Sequence, residues 1–288
     1  MKKYGPKKQL WKGIDTQKSD VMRSNNDGMY WKIFDIKLFG RGRSQVLKVL
    51  EQNLASGTKK YWIATVNPEF VMSAQKDKEF KKILSKTSLN VVDGIGLIWA
   101  KEVLSIKYQV FSIRKLIKAI WVGVEVLRGK YKDQVASGAD LIVDLVKIAK
   151  RDNKKIFLLG GWGDRAEKTA QYFSIKYQVS SIKYSSGEPD IGNKEVVKQI
   201  NEFKPDILLV AYGMKKQEFW INNNLDHLEV GLVMGVGRSF DYYSGDLKRA
   251  PRWVRKMGME WLYSLIKEPK RLKRQLVLPK FLWKVLYN

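Results

Sequence analysis

The stretch Ile207 to Ile221, ILLVAYGMKKQEFWI, passes from an unbroken apolar run through a glycine into a charged helical start. An apolar run of this length, closed by a turn residue, suits a strand buried on both faces, as in a parallel sheet. Gly213 ends that strand, and Lys215, Lys216, Gln217 and Glu218 open a helix. The same unit recurs along the chain. β-rich runs at 61–66, 89–92, 155–159, 181–184, 207–212 and 232–236 alternate with helical periods at 44–54, 69–84, 139–150, 164–177, 194–203 and 216–225. Strand–helix alternation at this spacing predicts an α/β, Rossmann-like fold, with a mostly parallel sheet and helices on both faces. In such sheets ligands sit at the carboxyl ends of the strands.

Composition bounds the partners. A net charge of +25 on 288 residues asks for a polyanion: nucleic acid, anionic lipid headgroups or a phosphorylated substrate. A lysine-rich proteome is the alternative source of that charge. The absence of cysteine excludes disulfides and thiolate metal sites. No apolar run approaches the ~20 residues a membrane span needs, so any membrane contact is expected to be peripheral. The single histidine, His227, has no partner cluster, which leaves no histidine-based triad or metal site. No metal and no cofactor is expected.

Three segments emerge. Residues 1–30 read as a flexible basic arm, with Gly5-Pro6 and Asn25-Asn26-Asp27-Gly28 as breakers. Residues 31–244 carry the α/β core. Residues 245–288 form a basic helical appendage, in which Lys248 to Asn288 holds 12 Lys and Arg against Glu260 and Glu268 alone. Deleting it is expected to leave the core folded.

Strand ends then nominate candidate site residues. In ATVNPEF, Asn67 and Pro68 suit a helix N-cap and first turn, while Thr65 falls at the strand terminus. In NVVDGIGLIWA, Asp93 is either a turn-forming Asx cap or a carboxylate partly desolvated by Ile95, Leu97 and Trp99, as a general base would be. In IFLLGGWGDRAEK, Gly160, Gly161 and Gly163 make either a plain turn or a phosphate cradle of backbone N–H groups. Their spacing departs from the dinucleotide fingerprint, which argues against a nicotinamide cofactor. After Gly213, Gln217 has donor and acceptor atoms suited to a base or sugar. Gly235, Gly237 and Asp241 form a glycine turn leading into the arginine- and tryptophan-rich tail.

Together, TVNPE, VVDGIG, SGADL (residues 137–141), FLLGG, GMKKQEFWI and GVGRSFDYYSGDLKRAPRWVRKMGMEWLY…EPKRLKR resemble the WecG/TagA/CpsF glycosyltransferases, glycosyltransferase family 26, over residues 35–274. The resemblance implies metal-independent, inverting transfer of an N-acetylhexosamine, most often N-acetylmannosamine, from a UDP-sugar donor. It implies an undecaprenyl-diphosphate-linked GlcNAc acceptor, met at the inner face of the bacterial plasma membrane. It casts Asp93 as general base with Thr65 and Asn67 beside it. It puts Gly160, Gly161, Gly213, Gln217, Glu218, Gly237 and Asp241 around the donor. Arg249, Arg252, Arg271 and Arg274 would meet the acceptor diphosphate and an anionic membrane surface. A nucleic-acid-binding module is the rival from composition, but no such motif is present and none explains Asp93 or Glu218 at strand ends; a non-catalytic nucleotide-sugar sensor is a further rival. A homo-oligomer is left open.

The chain departs from the family pattern at Lys215, Arg238 and Ser264, and it is about twenty residues longer between Asp93 and Gly138. The extra segment, 110–130, sets Ile113, Leu116, Ile117, Ile120, Trp121, Val124 and Leu127 at helical spacing among Arg114, Lys115 and Lys118. This is either a helix packing its apolar stripe on the core or a basic interfacial helix with Trp121 at headgroup depth. In the tail, Pro279 is expected to divide the last residues into two short interfacial helices.

Overall fold

A computed structural model describes residues 28–105, 112–186, 194–269 and 272–288. The arm at 1–27 and Arg271 lie outside the described residues. The eight strands are β1 (Tyr30–Ile33), β2 (Ile36–Phe39), β3 (Tyr61–Val66), β4 (Leu89–Val92), β5 (Ile156–Gly160), β6 (Ile182–Ser185), β7 (Ile207–Ala211) and β8 (Leu232–Gly235). They form one sheet in the order β1-β2-β4-β3-β8-β7-β5-β6, parallel throughout except where β1 pairs with β2. The sequence reading places six of these strands to within a residue at either end.

It misses β1 and β2. Their two-residue connection, Phe34-Asp35, has positive φ at both positions, the geometry of a type I′ hairpin turn. Because neither residue is glycine or asparagine, the turn carries no sequence signal.

Strands β4, β5, β7 and β8 are buried along their whole length, which explains their unbroken apolar runs. On one face of the sheet the helices Arg43–Ala55, Gly138–Arg151 and Arg165–Tyr177 bury Leu50, Leu141, Leu145 and Phe173 against Ile63, Leu158 and Leu209. On the other, Lys194–Phe203 and Lys216–Asn224 cover β5, β7 and β8 through Ile200, Trp220 and Ile221. Pro68–Lys76, Lys78–Lys86 and Ile95–Leu104 cover the β3 and β4 side. The single helix expected over 69–84 is therefore two. Asp77 is extended at the junction, its backbone N–H closing the first helix on Ser73 while its carboxylate caps the second through Phe80 N.

The tail is built of short helices: Arg252–Lys256, Glu260–Lys267, Leu272–Gln275 and Val277–Tyr287. Pro279 sits in the first turn of the last one, where its missing N–H costs no helical hydrogen bond. That helix is not purely interfacial. Phe281 and Val285 are fully buried in the apolar cluster of Phe70, Val71 and Ala100. Deleting 245–288 would uncover that cluster, so the tail is part of the packed structure.

Candidate active site

The two halves of the chain meet in the sheet where β3 lies beside β8. Every strand end on which the sequence places a candidate residue points to the same rim, as parallel pairing requires. At the crossing, the Thr65 hydroxyl donates to the Gly235 carbonyl at 3.1 Å. Gly138 packs on the Thr65 side chain so closely that a Cβ there would lie 3.1 Å from its methyl. Thr65 thus fastens β3 to β8 from a buried position. Asn67 is the N-cap of Pro68–Lys76, with Oδ1 accepting from Glu69 N and Phe70 N.

Asp93 follows β4, its backbone N–H donating to Val66 O. Gly94 has φ +124°, open to glycine, and starts the helix Ile95–Leu104 against Asn67 and Pro68. Burial pushes the Asp93 carboxyl up to about 7. The Glu260 carboxylate adds to the rise, the Arg249 guanidinium and the Gly138 N–H oppose it, and Asp140 raises it further. A carboxylate poised at this value is half-ionised near neutrality and ready to accept a proton.

Arg249 is gripped by acids. Nη1 and Nη2 reach the two oxygens of Asp140 at 2.6 and 3.1 Å, and Nε reaches Glu260 at 3.1 Å. Arg255 approaches the same Asp140 at 3.5 Å. Burial works to raise Asp140, but Arg249, Arg43 and Arg255 outweigh it and hold its carboxyl below the usual range. Arg274 pairs with Glu69 at 2.6 Å, two residues beyond Asn67. Arg252 is exposed and has no ion pair with a described residue.

The expected donor-side residues divide. Gly160 and Gly161 both have positive φ at the end of β5, Gly213 does so after β7 and Gly237 after β8; Gly213 and Gly237 have open space where a side chain would stand, whereas Gly160 is buried against Tyr212. Gln217, Glu218 and Asp241, by contrast, are fully buried and do not line an open surface. Gln217 accepts from Gly237 N at 2.8 Å and donates to Glu218 at 2.7 Å, tying the turn after β8 to the helix after β7. Glu218 also receives the Lys215 N–H, and burial raises its carboxyl to about 7 against those two donors. Gly235 must be glycine, since a Cβ there would come within 2.5 Å of Gln217 and 2.8 Å of Glu218. Asp241 is clamped between Arg165 at 2.8 Å and Arg238 at 2.6 Å. Arg238 also holds Glu268, so this departure from the family pattern stitches the turn to the tail. Lys215, another departure, adopts φ +71° and pairs with Asp77 at 2.7 Å. Nothing in the structure explains Ser264.

Sequence reasoning missed Asp140 and Glu260 as site residues, although both lie in quoted motifs. Their role is visible only through Arg249. Among the described residues no group of three or more His, Cys, Asp and Glu could hold a metal ion. No helix among them is long and apolar enough to cross a membrane.

The model of the WecG/TagA/CpsF glycosyl transferase family matches residues 31–114 and 118–288, spanning the strand ends, Asp93 and the tail arginines. The chain belongs to this family. It is 32% identical over 225 residues to an N-acetylglucosaminyldiphosphoundecaprenol N-acetyl-beta-D-mannosaminyltransferase of Bacillus subtilis (strain 168), covering 78% of each chain. It is 30% identical over 228 residues to a protein of the same name from Staphylococcus aureus (strain MW2), covering 79% of this chain and 80% of that one. Family membership makes the chain a glycosyltransferase, and the match includes the tail.

Proposed function

We propose that the protein transfers N-acetylmannosamine from a UDP-sugar to GlcNAc-diphosphoundecaprenol, with inversion, at the inner face of the plasma membrane. The observation that carries this reading is Asp93, a carboxyl raised to about 7 on the rim at the end of β4, bonded to the end of β3 and under the influence of Arg249 of the tail. Asp93 takes the proton from the acceptor hydroxyl as that oxygen attacks the anomeric carbon. The bond from that carbon to the UDP oxygen breaks, and UDP leaves with the electron pair. Attack from the face opposite the leaving group inverts the configuration.

The residues around Asp93 supply the rest. The glycine turn that begins at Gly160 and Gly161 lets the UDP diphosphate approach the backbone closely, while the Gly161 N–H stays bonded to Ala211 O at 3.1 Å. Gln217 and Glu218 serve the donor indirectly, by fixing the turn at Gly237. Thr65 and Asn67 hold the strand ends that aim Asp93. Arg252 offers a guanidinium to the acceptor diphosphate, and Arg274 and Arg249 add theirs if the phosphates replace Glu69 and Asp140. Such guanidiniums let the chemistry proceed without a resident metal. A panel of UDP-sugars with a diphosphate-linked GlcNAc acceptor, read by UDP release and by the anomeric configuration of the product, tests this. UDP-N-acetylmannosamine should be consumed fastest and only with acceptor present. A retained configuration, or turnover confined to another nucleotide, would overturn it.

A further inference from the structure

The apolar stripe of the helix Ile113–Leu127 points outward. Ile113, Ile117, Ile120, Trp121, Val124 and Leu127 are 37–67% exposed, while Lys115, Ala119 and Val122 face the protein and are buried. Trp99 fixes this orientation by donating its indole N–H to the Ala119 carbonyl at 2.9 Å. Six large side chains on one helix face make an apolar ridge that a protein in water alone has no reason to keep.

We infer that this ridge enters the interfacial zone of an anionic bilayer, giving the protein a membrane contact separate from the arginines of its tail. The inference deepens the reading above, whose lipid-linked acceptor supplies the reason for a membrane partner. A 15-residue helix is about 22 Å long, too short to cross the ~30 Å hydrocarbon layer, so it lies along the interface. Its neighbour is the helix Val277–Tyr287, which shares its inner apolar cluster and exposes Leu282, Trp283 and Tyr287. Tryptophan and tyrosine favour that depth.

Charge selects the partner. The one carboxylate on the ridge helix, Glu125, is bound by Lys130 and Tyr131. The carboxylates of the tail, Asp246, Glu260 and Glu268, are held by Arg165, Arg249 and Arg238. Arg128, Arg252 and Lys256 stay exposed beside them. This surface therefore offers cations around an apolar centre, and anionic headgroups complement it. A second copy of the chain would bring the same cations and a charge of +25 against it.

The chain has no cysteine, so one introduced cysteine can be labelled uniquely. In the full-length protein, an environment-sensitive dye on Ile117→Cys should shift to the blue with phosphatidylglycerol vesicles and be quenched by brominated acyl chains. The same dye on Lys48→Cys, exposed on the helix Arg43–Ala55 over the opposite face of the sheet, should do neither. Replacing Ile117, Ile120 and Trp121 together by serine should weaken partition into these vesicles about a hundredfold at unchanged Tm. A vesicle-bound protein with no shift at position 117, or no binding to the vesicles at all, would overturn the inference. So would a shift that appears without lipid as a dimer forms, since a second copy would then cover the ridge. Turnover is not read, so failure of the proposed reaction and failure of this contact are told apart.

Discussion

Arg249 and Asp140 are joined by two parallel N–H···O bonds of 2.6 and 3.1 Å, across 109 residues of chain and within the electrostatic reach of Asp93. The pair couples the tail to the helix that follows Ser137, and it sets the charge felt by the candidate base. Arg249→Ala removes the cation that opposes the rise of Asp93 and leaves Asp140 and Glu260 facing it. The acid limb of the rate–pH profile should then move to higher pH, and stability should fall by about 1–3 kcal/mol, measured by denaturant titration. Arg249→Lys should restore part of the pH profile but not the stability, because an ammonium cannot make the paired contact.

Asp93→Asn should reduce turnover by roughly 10²–10⁴ while leaving UDP-sugar binding intact. In the parent protein the rate should fall about tenfold per pH unit below 7, as the raised carboxyl becomes protonated. Stability should run the other way. A carboxyl whose folded pKa lies above its unfolded one binds more protons when folded, so the fold loses stability between about pH 4 and pH 7. Asp93→Asn should therefore raise Tm at pH 8 and leave it unchanged at pH 4. Near-normal turnover in this variant would remove Asp93 from the mechanism.

Gln217→Ala leaves the Gly237 N–H without its partner and deprives Glu218 of a donor in a fully buried site. Stability should fall by about 1–3 kcal/mol. UDP-sugar affinity should weaken more than acceptor affinity in calorimetric titration, because the loosened turn lies on the proposed donor side. Unchanged UDP affinity would make the residue purely structural.

Gly235→Ala would place a methyl carbon 2.5 Å from Gln217 Nε2 and 2.8 Å from Glu218 Oε1. Both neighbours are buried and hydrogen-bonded, so they cannot yield without breaking the same lock. An overpacking cost of about 1–3 kcal/mol is expected, visible as a lowered denaturation midpoint.

Two residues of the last helix should separate packing from membrane contact. Phe281→Ala, at a fully buried position, should cost about 3–5 kcal/mol and lower Tm. Trp283→Ser, two residues on and 61% exposed, should leave Tm unchanged and weaken sedimentation with anionic vesicles. Equal effects on both measurements would argue against a division of labour along this helix.

Much of the core is written locally. The apolar runs at 156–160 and 207–211 can satisfy their side chains only inside a two-sided sheet, and the backbone turns with positive φ at Gly160, which closes the first, and at Gly213, two residues past the second. Asn67 before Pro68 caps its helix through atoms two and three residues away. The sequence by itself therefore determined the strand–helix alternation, and with it the rim on which Thr65, Asn67, Asp93 and Gly213 stand. Where an interaction joins distant segments, local pattern is silent. Nothing near Arg249 names Asp140 as its partner, and nothing near Gln217 shows that its amide is spent on Gly237. Helical periodicity likewise gives the phase of the stripe from Ile113 to Leu127 but not its direction. That choice fell to packing: Ala119 and Val122 join the apolar cluster of Trp99 and Phe281, the Trp99 indole N–H holds the Ala119 carbonyl, and the stripe was left to face outward.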